Sequence, residues 1–227
     1  MKILAVDTTT TMLTAAVCEG KRVLGEFSLN NQKAHSQKLM PLVEQLLRET
    51  GTEIEEIDLF AAANGPGSFT GIRIGLACVK ALAQVTGKPV VSVNTLEGLS
   101  YNALGDPRPV FVLLDGGRRR VYAAEYRFEQ EKMVCVKEPF AATVEEVAQL
   151  LSGRQVLLAG DGGVLYGEEL GQPFITGRRS MPMASSVALA AMVLPTIQAE
   201  EMNAVYISKP QAQRELEQRL KEQERDK

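Results

Sequence analysis

Asn64-Gly-Pro-Gly-Ser-Phe-Thr-Gly-Ile-Arg-Ile-Gly75 is a glycine-rich turn set between a strand pattern and a helix pattern. Before it, Ile57-Asp-Leu-Phe-Ala-Ala-Ala63 reads as a buried strand; after it, Leu76, Val79, Leu82, Ala83 and Val85 recur at helical spacing. Ser68 is a natural N-cap, and Gly87 with Pro89 closes the helix. A strand-loop-helix unit points backbone N–H groups at whatever sits above the loop, which invites an anion. The residues that make phosphate chemistry work are missing. A P-loop needs Lys then Ser or Thr after its last glycine, whereas Gly71 is followed by Ile72-Arg73. Gly65, Gly67 and Gly71 put the third glycine of a dinucleotide fingerprint one residue late, and no Gly-x-Ser-x-Gly elbow can be drawn around Ser68. The loop therefore reads as structural or partner-facing.

Outward from this unit, the first half reads as three strands (Lys2 to Val6, Leu13 to Cys18, Arg22 to Leu29) and a helix carrying Leu39, Met40, Leu42, Val43, Leu46 and Leu47. Pro41 should sit in or near the first turn of that helix or kink it. The glycine-loop unit, a strand ending at Val93 and a short helix from Leu96 to Ala103 follow. Gly105-Asp-Pro-Arg-Pro109 is the clearest break in the chain. Beyond it the order repeats: strands at Val110 to Leu114, Arg120 to Phe128 and Met133 to Glu138, then a helix with a Thr143-x-x-Glu146 capping box and a strand at Val156 to Ala159. An Ala- and Leu-rich helix starting near Ser185 or Ser186 and a short strand, Ala204 to Ile207, come last.

The two halves also share a position. Asp7 ends the first strand of one in Asp7-Thr8-Thr9-Thr10, and Asp115 ends the first strand of the other in Asp115-Gly-Gly. Strand-ending Asp residues before Thr- or Gly-rich turns resemble the actin-like (ASKHA) fold of sugar and acetate kinases. The expected fold is thus α/β and duplicated, two lobes each built on a mixed sheet flanked by helices: residues 1–104, residues 110–208, and a charged tail over 209–227.

Composition narrows the function. At 227 residues with 45% hydrophobic side chains the chain is a folded protein, and a net charge of −3 offers no global field for nucleic acid. Trp is absent and aromatics make up 5%, which leaves little for base stacking. Arg118-Arg119-Arg120 and Arg178-Arg179 read as solvated turn residues. Cys18, Cys78 and Cys135 lack any Cys-x-x-Cys spacing and read as reduced, buried thiols of a cytoplasmic protein. The apolar run from Ile3 to Val6 is too short for a signal sequence or a membrane span.

Several residues could carry chemistry. Asp7, Thr8 and Thr9 could hold a nucleotide's metal and phosphates, with Asp115 as a second-lobe counterpart, which would make the chain a small-molecule kinase or ATPase. They could equally finish a strand and cap a turn. Gly160-Asp-Gly-Gly163 is similar to an adenosine-binding turn, or is a plain strand-to-helix connection. His35 is the only histidine, so metal sites built on two or more His are excluded, and a peptidase triad of His35 with Ser36 or Ser68 has no motif behind it. Gly71 and Gly75 lie four apart on one helix face with Cys78, Val79 and Leu82; if that face points outward, another helix can approach it closely.

Asp7-Thr8-Thr9, Ala34-His35-Ser36, the Asn64 to Gly75 segment and Val93-Asn-Thr-Leu-Glu-Gly98 together resemble the TsaB (YeaZ) family, strongly over about the first 100 residues and by topology thereafter. The resemblance implies a non-catalytic scaffold in the bacterial machinery that puts threonylcarbamoyl on the adenosine beside the anticodon of tRNAs reading codons that begin with A. Its implied partners are the catalytic paralogue TsaD and the ATPase TsaE, with tRNA reached through the complex and a homodimer when alone. ATP or ADP is then expected of the complex, and no cofactor or metal of this chain itself. Thr95 and Leu99 fall where TsaD carries its His-x-x-x-His metal pair, and the family's Asp-Ala-Arg is here Asp115-Gly-Gly-Arg. The resemblance places the partner contact on the first two helices, which makes Leu39, Met40, Val43, Leu46, Gly71, Gly75, Cys78, Val79 and Leu82 the interface candidates. Asp7, Thr8, Thr9, Asn64, Gly65, Pro66, Gly67, Ser68, Phe69, Thr70 and Arg73 are the loop residues nearest any nucleotide. On this reading a leucine at Gly71 or Gly75 should block docking and leave the monomer folded.

Overall fold

Side chains alternate along β1 (Lys2–Asp7), so Ile3 and Ala5 join one core while Leu4 and Val6 join another, all four fully buried. A strand buried on both faces needs a layer on each. The computed structural model, which describes residues 1–30 and 35–207, supplies both. β2 (Met12–Glu19) and β3 (Arg22–Asn30) extend β1 antiparallel. After α1 (His35–Thr50), β4 (Leu59–Ala63) pairs parallel to β1; α2 (Phe69–Thr86) then leads to β5 (Val90–Val93), parallel to β4. The order is β3-β2-β1-β4-β5.

A short α3 (Thr95–Ser100) and a turn of 3-10 helix lead into the second sheet. There β6 (Val110–Asp115), β7 (Arg120–Glu129) and β8 (Lys132–Thr143) are antiparallel in sequence, α4 (Val144–Leu151) follows, and β9 (Leu157–Ala159) returns parallel to β6. The order β8-β7-β6-β9 repeats the first sheet without its fifth strand, as the duplicated actin-like reading expects. α5 (Asp161–Tyr166) and α6 (Ala184–Ala191) complete the elements. Five layers result. α1 and α2 cover the outer face of the first sheet and α4 and α5 that of the second, while α3 and α6 lie between the sheets in one continuous core. Each fully buried Leu, Ile or Val there stabilises by ~1.5–3 kcal/mol against leaving it exposed.

Helix ends follow their sequence signals closely. Ser68 accepts the Gly71 N–H, Gly87 closes α2 at φ 68°, and Thr143 with Glu146 makes the reciprocal box before α4. Five readings change. Pro41 lies in the second turn of a continuous α1 on its exposed side, where its missing N–H costs the Gln37 carbonyl an intrahelical partner that water can replace. Ile57 and Asp58 precede β4 rather than belonging to it. α6 starts at Ala184, one residue before the expected Ser185. Ala204 to Ile207 forms no strand; the Val205 N–H donates to the carbonyl of Asn64, just past β4, at 2.8 Å. Cys135 is exposed on β8, unlike Cys18 and Cys78. Ala34 and the tail over 209–227 lie outside the described residues.

α6 packs on β1, β2, β4 and β5, and Ala199 and Met202 enter the first sheet's outer core. The last part of the chain thus returns to the first lobe. Arg178 and Arg179, read as solvated, help to tie it there. Arg178 reaches Ser28 at 2.5 Å and Glu26 at 3.5 Å, and the Arg179 guanidinium donates to the Asn102 carbonyl. Glu26, largely buried, also accepts from Thr14 Oγ1, the Ser185 N–H and Ser185 Oγ. Glu26→Ala should leave those buried donors unsatisfied and cost about 2 kcal/mol. In urea denaturation this appears as a lower midpoint with unchanged slope, and Glu26→Gln should restore part of it.

Candidate functional site

The ends of β1 and β4 meet at the start of α2. Thr8 Oγ1 donates to the Gly71 carbonyl at 2.7 Å, and the Ser68 N–H donates to the Thr9 carbonyl at 2.6 Å. A Cβ on Gly75 would stand 2.6 Å from Thr8 Oγ1, and one on Gly71 would overlap the Thr8 carbonyl. Gly67, at φ 154°, meets the Thr9 backbone in the same way. The glycine face of α2 therefore points inward onto the Asp7-Thr8-Thr9 turn. That corrects the expectation that it faces outward, and with it the use of Gly71→Leu or Gly75→Leu as docking variants of an intact monomer. Gly75→Leu should instead lower the thermal midpoint of the free protein by several degrees, because Thr8 has 0% exposure and nowhere to move. An unchanged midpoint would mean that α2 can shift away from the turn.

Asp7 is closed in by the same contacts. It is 2% exposed, and its Oδ1 accepts both the N–H and the hydroxyl of Thr9, at 2.8 and 2.7 Å. His35 Nε2 lies 2.9 Å from the Thr10 carbonyl, so that nitrogen carries the proton. Burial pushes the Asp7 carboxyl up from 3.8 to about 6, against the lowering effects of Thr9 and His35. The folded protein binds this proton more tightly than the unfolded chain. The stabilisation is complete below pH 4 and lost as pH rises through 6, a span worth ~3 kcal/mol. Asp7→Asn keeps an oxygen for Thr9 and removes the buried charge. Its melting temperature relative to the parent should therefore climb between pH 4 and pH 8; a difference that does not vary with pH would overturn this account.

The second-lobe counterpart is also engaged. Asp115 Oδ1 accepts from Tyr166 Oη at 3.1 Å and from the Gly117 N–H at 3.2 Å, while the Asp115 N–H donates to Asp161 Oδ1. Gly160, at φ 90°, and Gly162 pack against Leu113, which places the Gly160 to Gly163 turn tightly on β6. Arg119 is paired with Glu145 and Glu169 rather than free. Among the described residues, no three His, Cys, Asp or Glu side chains gather as a metal site.

The C-terminal segment passes over the loop, which nothing local in the sequence announces. Asn64 Nδ2 donates to the Asn203 carbonyl, and Gly65 at φ 112° lies against the Val205 carbonyl. Thr95 binds the Gly65 backbone from the other side. The Gly65-Pro66 peptide is cis. Phe69, Arg73 and Tyr206 stand together outside, whereas Ser68 and Thr70 are exposed without converging on a pocket.

Of the interface candidates, Leu39, Val43, Leu46 and Val79 are core residues at 0–1% exposure, and Cys78 is buried with its sulfur 3.3 Å from Met40 Sδ. Met40 is 47% exposed and Leu82 half-buried. The small residues on the exposed side of α2 are Ala77 and Ala81, again four apart, which the glycine reading passed over.

Two sheets of matching topology with strand-ending Asp7 and Asp115 define a duplicated actin-like α/β protein. A family model described as TsaD, tRNA N6-adenosine threonylcarbamoyltransferase, matches residues 22–214. The chain is 31% identical over 223 residues to the tRNA threonylcarbamoyladenosine biosynthesis protein TsaB of Escherichia coli, covering 91% of this chain and 94% of that one. YeaZ from Pseudomonas aeruginosa superposes with a TM-score of 0.77 at 28% identity, over 91% of this chain and all of the other. The activator of the 2-hydroxyisocaproyl-CoA dehydratase from Clostridium difficile shares the fold alone, at TM-score 0.51 and 8% identity over 88% of this chain and 95% of that one. The chain belongs to the TsaB (YeaZ) family of tRNA threonylcarbamoyladenosine biosynthesis.

Proposed function

We propose that this chain is the non-catalytic scaffold subunit for threonylcarbamoylation of the adenosine beside the anticodon in tRNAs that read codons beginning with A. It acts in the cytoplasm by binding and activating TsaD, together with TsaE, and any ATP or ADP belongs to the assembled complex. The observation that carries this reading is the closed Asp7-Thr8-Thr9 turn. An actin-like phosphotransferase needs that carboxylate open to metal and phosphate, whereas here Thr9 occupies Asp7 Oδ1 and α2 seals the turn. Family membership and the match to the TsaD model support the choice of partner.

The docking face is the outer side of α1 and α2, where Met40, Ala77 and Ala81 are exposed and Leu82 is half-buried. Small side chains there let a partner helix approach closely, and in the free protein the same face can pair with a second copy. Ala77→Arg and Ala81→Arg should each weaken capture by TsaD at least tenfold while the melting temperature stays within about 2 °C of the parent, since neither residue enters the core. Capture at parental affinity by both variants would remove this face from the interface. In reconstitution, the modified nucleoside should form only when this chain is added to TsaD, TsaE, ATP and the threonylcarbamoyl donor. Magnesium-dependent ATP turnover by the chain alone, abolished in Asp7→Ala, would return it to the kinases.

A further inference from the structure

Aromatic side chains are scarce in this chain, yet two of them stack at one exposed point. The rings of Phe69 and Tyr206 lie 5.0 Å apart at 32°, and they are 37% and 40% exposed. The Arg73 guanidinium carbon sits 3.8 Å above the Phe69 ring centre, and Arg73 Nε donates to Tyr206 Oη at 3.1 Å. That hydrogen bond fixes the guanidinium plane. Among the described residues, the two terminal nitrogens of Arg73 make no further hydrogen bond or ion pair. Tyr206 Oη accepts from Arg73 and so keeps its own proton to donate.

Part-exposed aromatic rings beside a fixed, unspent guanidinium fork are the chemistry that recognises an unpaired nucleotide: the base stacks on the exposed part of the aromatic pair and its phosphate takes the fork. The local charge agrees with an anion, although the whole chain is acidic. α2 contains Arg73 and Lys80 and no acidic residue, α1 carries Lys38 and no acid before Glu44, and the N-terminus of α2 opens beside the stack. The stack is built to persist. The Val205 N–H binds the Asn64 carbonyl, and the Val205 backbone packs on Gly65, so the segment carrying Tyr206 is fixed to the loop that starts α2.

We infer that Phe69, Arg73 and Tyr206 form a stacking platform for an unpaired nucleotide of the RNA substrate, so that the scaffold contacts tRNA directly. This rests on the tRNA-modification reading above and deepens it. The test titrates a fluorescein-labelled anticodon stem-loop against the full chain, alone and with TsaD, with a fully paired RNA hairpin stem as the control. The parent should prefer the loop RNA. Phe69→Ala/Tyr206→Ala and, separately, Arg73→Glu at an exposed position should each weaken loop binding about tenfold or more and leave capture by TsaD intact, and the aromatic change should leave the weak binding to paired RNA nearly unchanged. Circular dichroism confirms that each variant is folded, and Arg73→Glu remains decisive if the double change disturbs α2. Loop binding equal to the parent's in a folded variant overturns the platform, as does loss of TsaD capture with RNA binding preserved, which would make the stack a protein contact. If the parent never captures TsaD, the scaffold reading fails, and the titration of the chain alone still decides the platform.

Discussion

Thr8 lies beneath the first turns of α2 with no room to spare, and much of the outer layer takes its position from that contact. The hydroxyl of Thr8 donates to the Gly71 carbonyl, and the absent side chains of Gly71 and Gly75 let the helix backbone descend onto the turn. Any Cβ at those positions would lift α2 away from β1 and β4. Ile72 and Val79, both fully buried, would then lose their packing. The same approach places Cys78 against Met40 and so sets how α1 and α2 lie together on the sheet. Glycine is thus used here for closeness to another backbone rather than for an unusual dihedral angle.

That contact also shapes the surroundings of the strand-end carboxylate. Thr8 turns its hydroxyl toward the loop and Thr9 its N–H and hydroxyl toward Asp7; burial disfavours the ionised carboxyl in spite of the Thr9 hydrogen bonds. In the second lobe Tyr166 and Gly117 occupy Asp115, and the Gly160 to Gly163 turn is packed on Leu113. Both halves keep the strand-end Asp of the actin-like plan, and both direct it into the protein's own hydrogen bonds. The lobes are further joined by a continuous core through α3 and α6 and by the Arg178–Glu26 contact.

The fold was legible because its signals are local. Strand and helix order, the Ser68 and Thr143 caps, the Gly87 stop and the duplication each depend on residues a few positions apart. What escaped depends on distance or on direction. Helical periodicity states that Gly71 and Gly75 share a face; it cannot say whether that face meets Thr8, 63 residues earlier than Gly71, or solvent. Arg178 looked solvated because its partner Glu26 is 152 residues away. The strap over the loop was invisible for the same reason, since Asn64 and Asn203 are 139 residues apart and neither belongs to a recognisable motif. The residues that converge on the Asp7 turn and the glycine loop were named, whereas the direction they face was not.

Orientation decides the functional argument. A helix that sinks by a side chain's width on its inner face can present short side chains outward without leaving a void beneath, and α2 does both with two pairs spaced four apart, Gly71 with Gly75 inside and Ala77 with Ala81 outside. Neither pair would serve if exchanged. Alanine at 71 or 75 would strike Thr8, and glycine at 77 or 81 would cost helix propensity of about 1 kcal/mol each with no gain in packing. The small-residue pattern that first suggested a docking surface therefore encodes two close approaches. One, to Thr8, is made within the chain; the other, past the exposed Ala77 and Ala81, is the one proposed above for a partner helix.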